Sequence, residues 1–155
     1  MTTKLDSRLT TYSPAVLSLF RVVFGFLFTL FGTSKLFDWP IAFGIPTGNW
    51  PIWYAGIIEF VAGLLIMFGL FTRIAAFIAS GHMAVAYFWQ HQPHALWPIV
   101  GPEMGGNGGL PTILFCFAFF LLVFTGPGAY ALDTMRAGRL KQRRWSPTTA
   151  NLRQS

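Results

Sequence analysis

Charge is what this chain has least of. Of its 155 residues only 10% are Asp, Glu, Lys or Arg, and five of those are acidic. A water-soluble domain carries about 25% charge because its surface must face solvent, so a soluble enzyme is excluded. Cysteine is almost missing: Cys116 stands alone, which permits neither an intrachain disulfide nor a CxxC redox pair. A phosphate loop is missing too, since no Lys-Ser/Thr follows Gly105-Gly106-Asn107-Gly108-Gly109. That glycine run reads as a flexible lead into a helix. What is abundant is apolar bulk, 54% of the chain, with 17 Phe and 6 Trp. Such a composition does not stay disordered. It belongs in a membrane.

Four apolar stretches approach the roughly 20 residues a helix needs to cross a bilayer: Pro14 to Phe37, Pro51 to Phe71, Ile74 to Gln90, and Pro111 to Tyr130. Pro14, Pro51 and Pro111 each suit a first helical turn, where a missing N–H costs little. The first stretch is long for a signal peptide and has no convincing cleavage site, so it reads as a retained helix. The fold class is therefore all-α, an integral membrane four-helix bundle. Lys4, Arg8, Arg73 and the tail cations Arg136, Arg139, Lys141, Arg143, Arg144 and Arg153 lie on one side of these spans. The connections Asp38–Trp50 and His91–Leu110 hold no Lys or Arg. By the positive-inside rule both termini are cytoplasmic. The expected organisation is a cytoplasmic segment 1–13, a transmembrane domain 14–133 and a basic cytoplasmic tail 134–155. Anionic lipid headgroups or an acidic partner would suit the cations at Arg136, Arg139, Lys141, Arg143 and Arg144.

Ionisable residues inside the spans carry the functional information. They are Arg21, Lys35, Glu59 and His82. A charge at mid-bilayer costs at least ~2.5–3.5 kcal/mol on insertion scales, so such groups face protein or water. Arg21, Gly25, Phe28, Gly32 and Lys35 share one stripe of the first helix. Glu59 shares a face with Ala55, Gly56, Ala62 and Gly63, and His82 with Ala75, Ala79 and Ala86. Small residues let helices approach closely in lipid, so these faces are expected to meet. At 1.5 Å per residue, Arg21 is expected to reach up toward Glu59 with His82 between them, and Lys35 to snorkel outward or point down at Glu59. Such a cluster either fixes helix register as an ion pair or binds a polar headgroup, a quinone ring or a lipid head. His91 and His94 flank Pro93 without a clear third ligand, so no metal is expected. No intramembrane histidine pair exists to grip haem. Cys116 and Thr112, one turn apart, read as packing residues.

These residues resemble the DoxX family of small four-helix membrane proteins. The likeness covers about Leu17 to Asp133. It rests on Arg21, Gly25, Gly32 and Lys35-Leu36, then on Glu59, Gly63, Gly69-Leu70-Phe71-Thr72-Arg73 and Ala75-Ala76, and finally on Gly126-Pro127-Gly128 with Leu132-Asp133. Many members carry an acidic residue after the glycines that open the fourth helix. Here Leu110 and Pro111 stand in that region, and Glu103 is the nearest acid. The resemblance implies a bacterial inner membrane protein linked either to thiosulfate:quinone oxidoreduction or to oxidative-stress assemblies. The leading expectation is an accessory or anchoring subunit of a redox assembly. A quinone-linked oxidoreductase subunit and a small transporter are the alternatives. Expected partners are the bilayer, a second membrane or cytoplasmic redox protein, and alternatively further copies of the chain. Nucleic acid is not among them.

Overall fold

The computed structural model describes residues 2–144, and the side chains of residues 6–138. No strand occurs among the described residues. Five helices follow one another: α1 (Thr2–Phe37), α2 (Ile52–Phe68), α3 (Thr72–Ala86), α4 (Leu110–Thr125) and α5 (Leu132–Arg144). A π-helical turn, Tyr87–His91, continues α3, and a short 3-10 turn, Pro102–Met104, interrupts the last long loop. The stretch Asp6–Phe37 is the one helix long and apolar enough to cross a membrane among the described residues; α2 and α4 are apolar but shorter.

The boundaries differ from those expected at several points. Pro14 does not open α1 but lies inside it. Its carbonyl accepts from the Ser18 hydroxyl at 2.9 Å and from Ala129 N–H at 3.1 Å. The helix therefore runs unbroken past the expected edge at residue 13. Gly69 stops α2 early, in the left-handed conformation with φ 71°, where its N–H returns to the carbonyls of Leu65 and Ile66. Only glycine takes that conformation at no steric cost. The segment from 126 to 131 leaves α4 at Thr125, and the basic tail begins as helix α5.

Small residues set how α1 meets α2. A Cβ on Gly25 would lie 2.6 Å from the Met67 backbone nitrogen, and one on Gly63 would lie 2.5 Å from the Thr29 hydroxyl. Gly25 faces Gly63 and Met67, Gly32 faces Phe60, and Gly56 faces Lys35, so the two helices run antiparallel at backbone contact. α3 and α4 are antiparallel as well: Arg73 bonds the Val123 carbonyl, Ser80 the Cys116 carbonyl, and His91 meets Thr112. Phe28, Ile66, Phe119 and Leu122 are fully buried where the four helices converge. The outward faces are apolar too, with Leu19, Phe77, Phe117 and Phe124 exposed. Such surface suits lipid and would be a liability in water.

Candidate functional site

Lys35, near the end of α1, and Glu59, in the second turn of α2, are brought together because Gly56 lets the Lys35 stem lie against the α2 backbone. Lys35 Nζ donates to Glu59 Oε1 at 2.5 Å. His82, from α3, places Nε2 3.5 Å from the same oxygen. The side chains are 19%, 3% and 14% exposed respectively. Both neighbours crowd Oε1. Glu59 Oε2 and His82 Nε2 are buried without a hydrogen bond among the described residues.

These three groups form part of the wall of a cavity of about 460 Å³. The rest of the wall is mostly aromatic and aliphatic, with Gln90, His91 and Thr112 adding polar groups. Phe28, Phe31 and Phe115 sit beside the polar groups, and Tyr54, Ile58, Val85 and Trp89 stand further out. Those last four are partly exposed, which puts the mouth between the loop-side halves of α2 and α3. An apolar cavity with a few convergent polar groups is the usual form of a small-molecule site.

On the cavity wall, too, His91 is held rather than free. Its Nδ1 donates to the Asn107 carbonyl at 2.9 Å, since a carbonyl can only accept, and Thr112 Oγ1 lies 3.3 Å from Nε2. Asn107 is 2% exposed. Its amide donates to the Ala95 carbonyl, and its side-chain oxygen accepts from Gly109 N–H. The glycine run expected to be a flexible lead is thus pinned onto the preceding loop through Asn107, Gly108 and Leu110 N–H bonds to Trp97, Val100 and Pro98. Thr112, expected only to pack, belongs to this network. An Asn flanked by glycines was the available signal. His94 and Glu103 are exposed and do not line the cavity.

The expected grouping of Arg21 with Glu59 and His82 is not what the structure shows. Arg21 is 1% exposed. Its guanidinium donates to the carbonyls of Ile66 and Met67 at 2.6 Å, Pro127 at 2.9 Å and Tyr130 at 2.5 Å. The physical reason is distance and competition. Arg21 lies roughly 21 Å along α1 from Lys35, and the carbonyls ending α2 are nearer and carry the negative end of the helix dipole. Lys35 takes its place beside Glu59.

A second network closes the same end. Asp133 accepts Phe71 N–H at 3.0 Å and Thr72 N–H at 2.9 Å, and its own N–H donates to the Gly69 carbonyl. Burial alone would raise the Asp133 carboxyl, but its bonds from Thr72 and Phe71, with Arg136 nearby, hold it below the ordinary 3.8. Arg73 in turn donates to the last carbonyls of α4, Val123 at 2.7 Å and Phe124 at 3.1 Å. Of the basic tail residues, Arg136 is exposed. The side chains of Arg139, Lys141, Arg143 and Arg144 lie outside the described residues, as does Arg153 entirely.

The family model described as DoxX matches residues 16–92. A Haemophilus influenzae relative, itself named only as an uncharacterized protein, is 38% identical over 133 residues, covering 82% of this chain and 95% of its own length. This chain belongs to the DoxX family. It is also similar to two Escherichia coli K12 proteins. Inner membrane protein YphA is 30% identical, covering 77% of this chain and 89% of its own length; inner membrane protein YqjF is 29% identical, covering 74% and 75%. No solved structure matches. The DoxX chain is a membrane protein, as the two Escherichia coli relatives are named. The residues that carry its resemblance fall chiefly into three places: Glu59 and Lys35 on the cavity, Gly25, Gly32 and Gly63 at the α1–α2 contact, and Arg21, Gly69, Thr72, Arg73, Gly126-Pro127-Gly128 and Asp133 at the opposite end, where they tie helix ends together.

Proposed function

We propose that this chain spans the bacterial inner membrane through α1 to α4, with both termini cytoplasmic, and binds the polar head of a membrane-soluble ligand of quinone size in the outer half of the bilayer. One observation carries the reading: Lys35, Glu59 and His82 converge on the wall of a 460 Å³ cavity whose remaining walls are mostly apolar and aromatic. A cavity of that size accommodates a ring and the first part of a tail. Its mouth between α2 and α3 faces the acyl chains when the helices stand in the bilayer. Below the polar groups Ile66, Phe119 and Leu122 fill the core, which supports a blind pocket over a transport path.

The assembly role is an accessory or anchoring subunit of a redox or oxidative-stress complex. The exposed cytoplasmic surface of α5, with Leu132, Met135 and Arg136 outward, supports this reading. A quinone-linked oxidoreductase subunit of the thiosulfate:quinone type uses the same pocket. The test is purification from the native membrane in mild detergent, with mass spectrometry of co-eluting proteins and lipids. A stoichiometric isoprenoid quinone or quinol that is lost from His82→Ala supports the site. A redox protein co-eluting at fixed ratio supports the subunit role. A homogeneous, folded protein with neither overturns both.

A further inference from the structure

We infer that this cavity selects a neutral headgroup that donates a hydrogen bond, a ring hydroxyl, over one that only accepts. The inference rests on the reading that the cavity binds a membrane-soluble ligand, and it names the chemistry of the head. Glu59 is 2% exposed. Its Oε1 receives Lys35 Nζ at 2.5 Å and faces His82 Nε2 at 3.5 Å, while Oε2 has no partner among the described residues. His82 Nε2 makes no hydrogen bond either. A buried polar atom without a partner is costly, and in native proteins it marks a strained group or the place of a bound molecule.

The two orphaned atoms differ in what they need. An ionised carboxylate oxygen accepts only, so Oε2 calls for a donor. An imidazole nitrogen donates or accepts according to its tautomer. A hydroxyl is the small group that does both at once: it donates to Oε2 while its oxygen accepts from His82 Nε2–H. A carbonyl oxygen serves His82 and leaves Oε2 stranded. Lys35 is already engaged by Glu59, so its ammonium is not left to draw an anion such as a phosphate. Aromatic walls at Phe31, Tyr54 and Trp89 suit a flat ring beside the hydroxyl. The ligand class is a hydroquinone or phenol on an apolar tail, in preference to the corresponding quinone.

The experiment is anaerobic isothermal titration of the full chain in detergent with decylubiquinol, decylubiquinone and monoolein, a hydroxyl lipid without a ring. Decylubiquinol is expected to bind at least about tenfold tighter than decylubiquinone, the factor of one hydrogen bond to a charged group. In Glu59→Gln the amide offers a donor as well as an acceptor, and the preference is expected to shrink to within about threefold. The wild-type ratio is decisive by itself if that variant does not fold. Equal binding of quinol and quinone overturns the inference and leaves the ligand site standing. Monoolein binding as tightly as the quinol upholds the donor requirement and assigns a lipid source. If none of the three binds, the inference and the ligand reading fall together.

Discussion

Asp133 and Thr72 stand 61 residues apart in the chain, yet the Asp133 carboxylate accepts both the Thr72 backbone N–H, at 2.9 Å, and the Thr72 hydroxyl, at 3.0 Å. A helix usually takes its N-terminal cap from the residue just before it. Here that residue is Phe71, which has nothing to offer and sits in the left-handed region with φ 47°. α5 supplies the cap from the other end of the sequence, and Arg73 repays the neighbouring helix by bonding the last carbonyls of α4.

Removing that cap has a defined pH signature. Asp133→Ala is expected to lower stability by about 1–2 kcal/mol near neutrality, the size of a lost cap. The folded carboxyl is held below its ordinary 3.8, so the folded state releases its proton more readily than the unfolded chain. The contribution is therefore complete above 3.8 and fades as pH falls through the lower folded value. Thermal unfolding of wild type and variant in detergent checks this. A stability gap that stays constant into strong acid would show that the charge is not responsible.

Arg21 is a second point of leverage. Arg21→Ala removes bonds to the carbonyls of Ile66, Met67, Pro127 and Tyr130, of which Ile66 keeps the Gly69 N–H, and at about 1.5–3 kcal/mol for a hydrogen bond from a charged group the bundle is expected to be strongly destabilised. Arg21→Lys restores the charge without the planar fork and should recover only part of it. The yield of monodisperse protein and its unfolding midpoint separate the three. Full recovery by lysine would mean that charge alone matters there.

Glycines on the two faces of the bundle should respond oppositely. Gly63→Ala puts a methyl 2.5 Å from the Thr29 hydroxyl and 2.7 Å from its backbone nitrogen, a clash expected to cost about 1–3 kcal/mol. Gly81, in α3, has nothing within 4 Å of a would-be Cβ. Gly81→Ala should be neutral or stabilising by up to about 1 kcal/mol, through helix propensity. Unfolding curves of the pair decide. Equal losses would place a further helix against α3.

Orientation can be read chemically. In a Cys116→Ser background, cysteines at Thr47 and at Glu103 are expected to react with a membrane-impermeant maleimide added outside, and a cysteine at Gly138 only after permeabilisation. The reverse pattern would overturn the assignment from Lys and Arg placement.

Much of this was legible from residue spacing. Four apolar runs with almost no charge give the helices, and the strip of small residues around Glu59 and Gly63 foretells the close α1–α2 approach. Depth counting put His82 between Arg21 and Glu59 and allowed Lys35 to point down at Glu59. It failed for Arg21, because an arginine's partner can be a helix end, and free carbonyls leave no mark in a sequence. Asp133 was visible only as a family motif, since its role depends on a contact across 61 residues. Pro14 misled because its N–H is missing wherever it sits. Asn107 was hidden among glycines that read as slack.

The junction at the terminal end also sets an order of events during synthesis. Arg21 enters the membrane early, but two of its four acceptors, Pro127 and Tyr130, lie 106 and 109 residues later. Until the ribosome reaches them, the guanidinium has only the end of α2, and α3 has no cap until Asp133 emerges. The last-made stretch before α5 thus completes the first-made helix. A nascent chain cut short before residue 127 would hold Arg21 through its α2 acceptors alone and would leave α3 without its Asp133 cap.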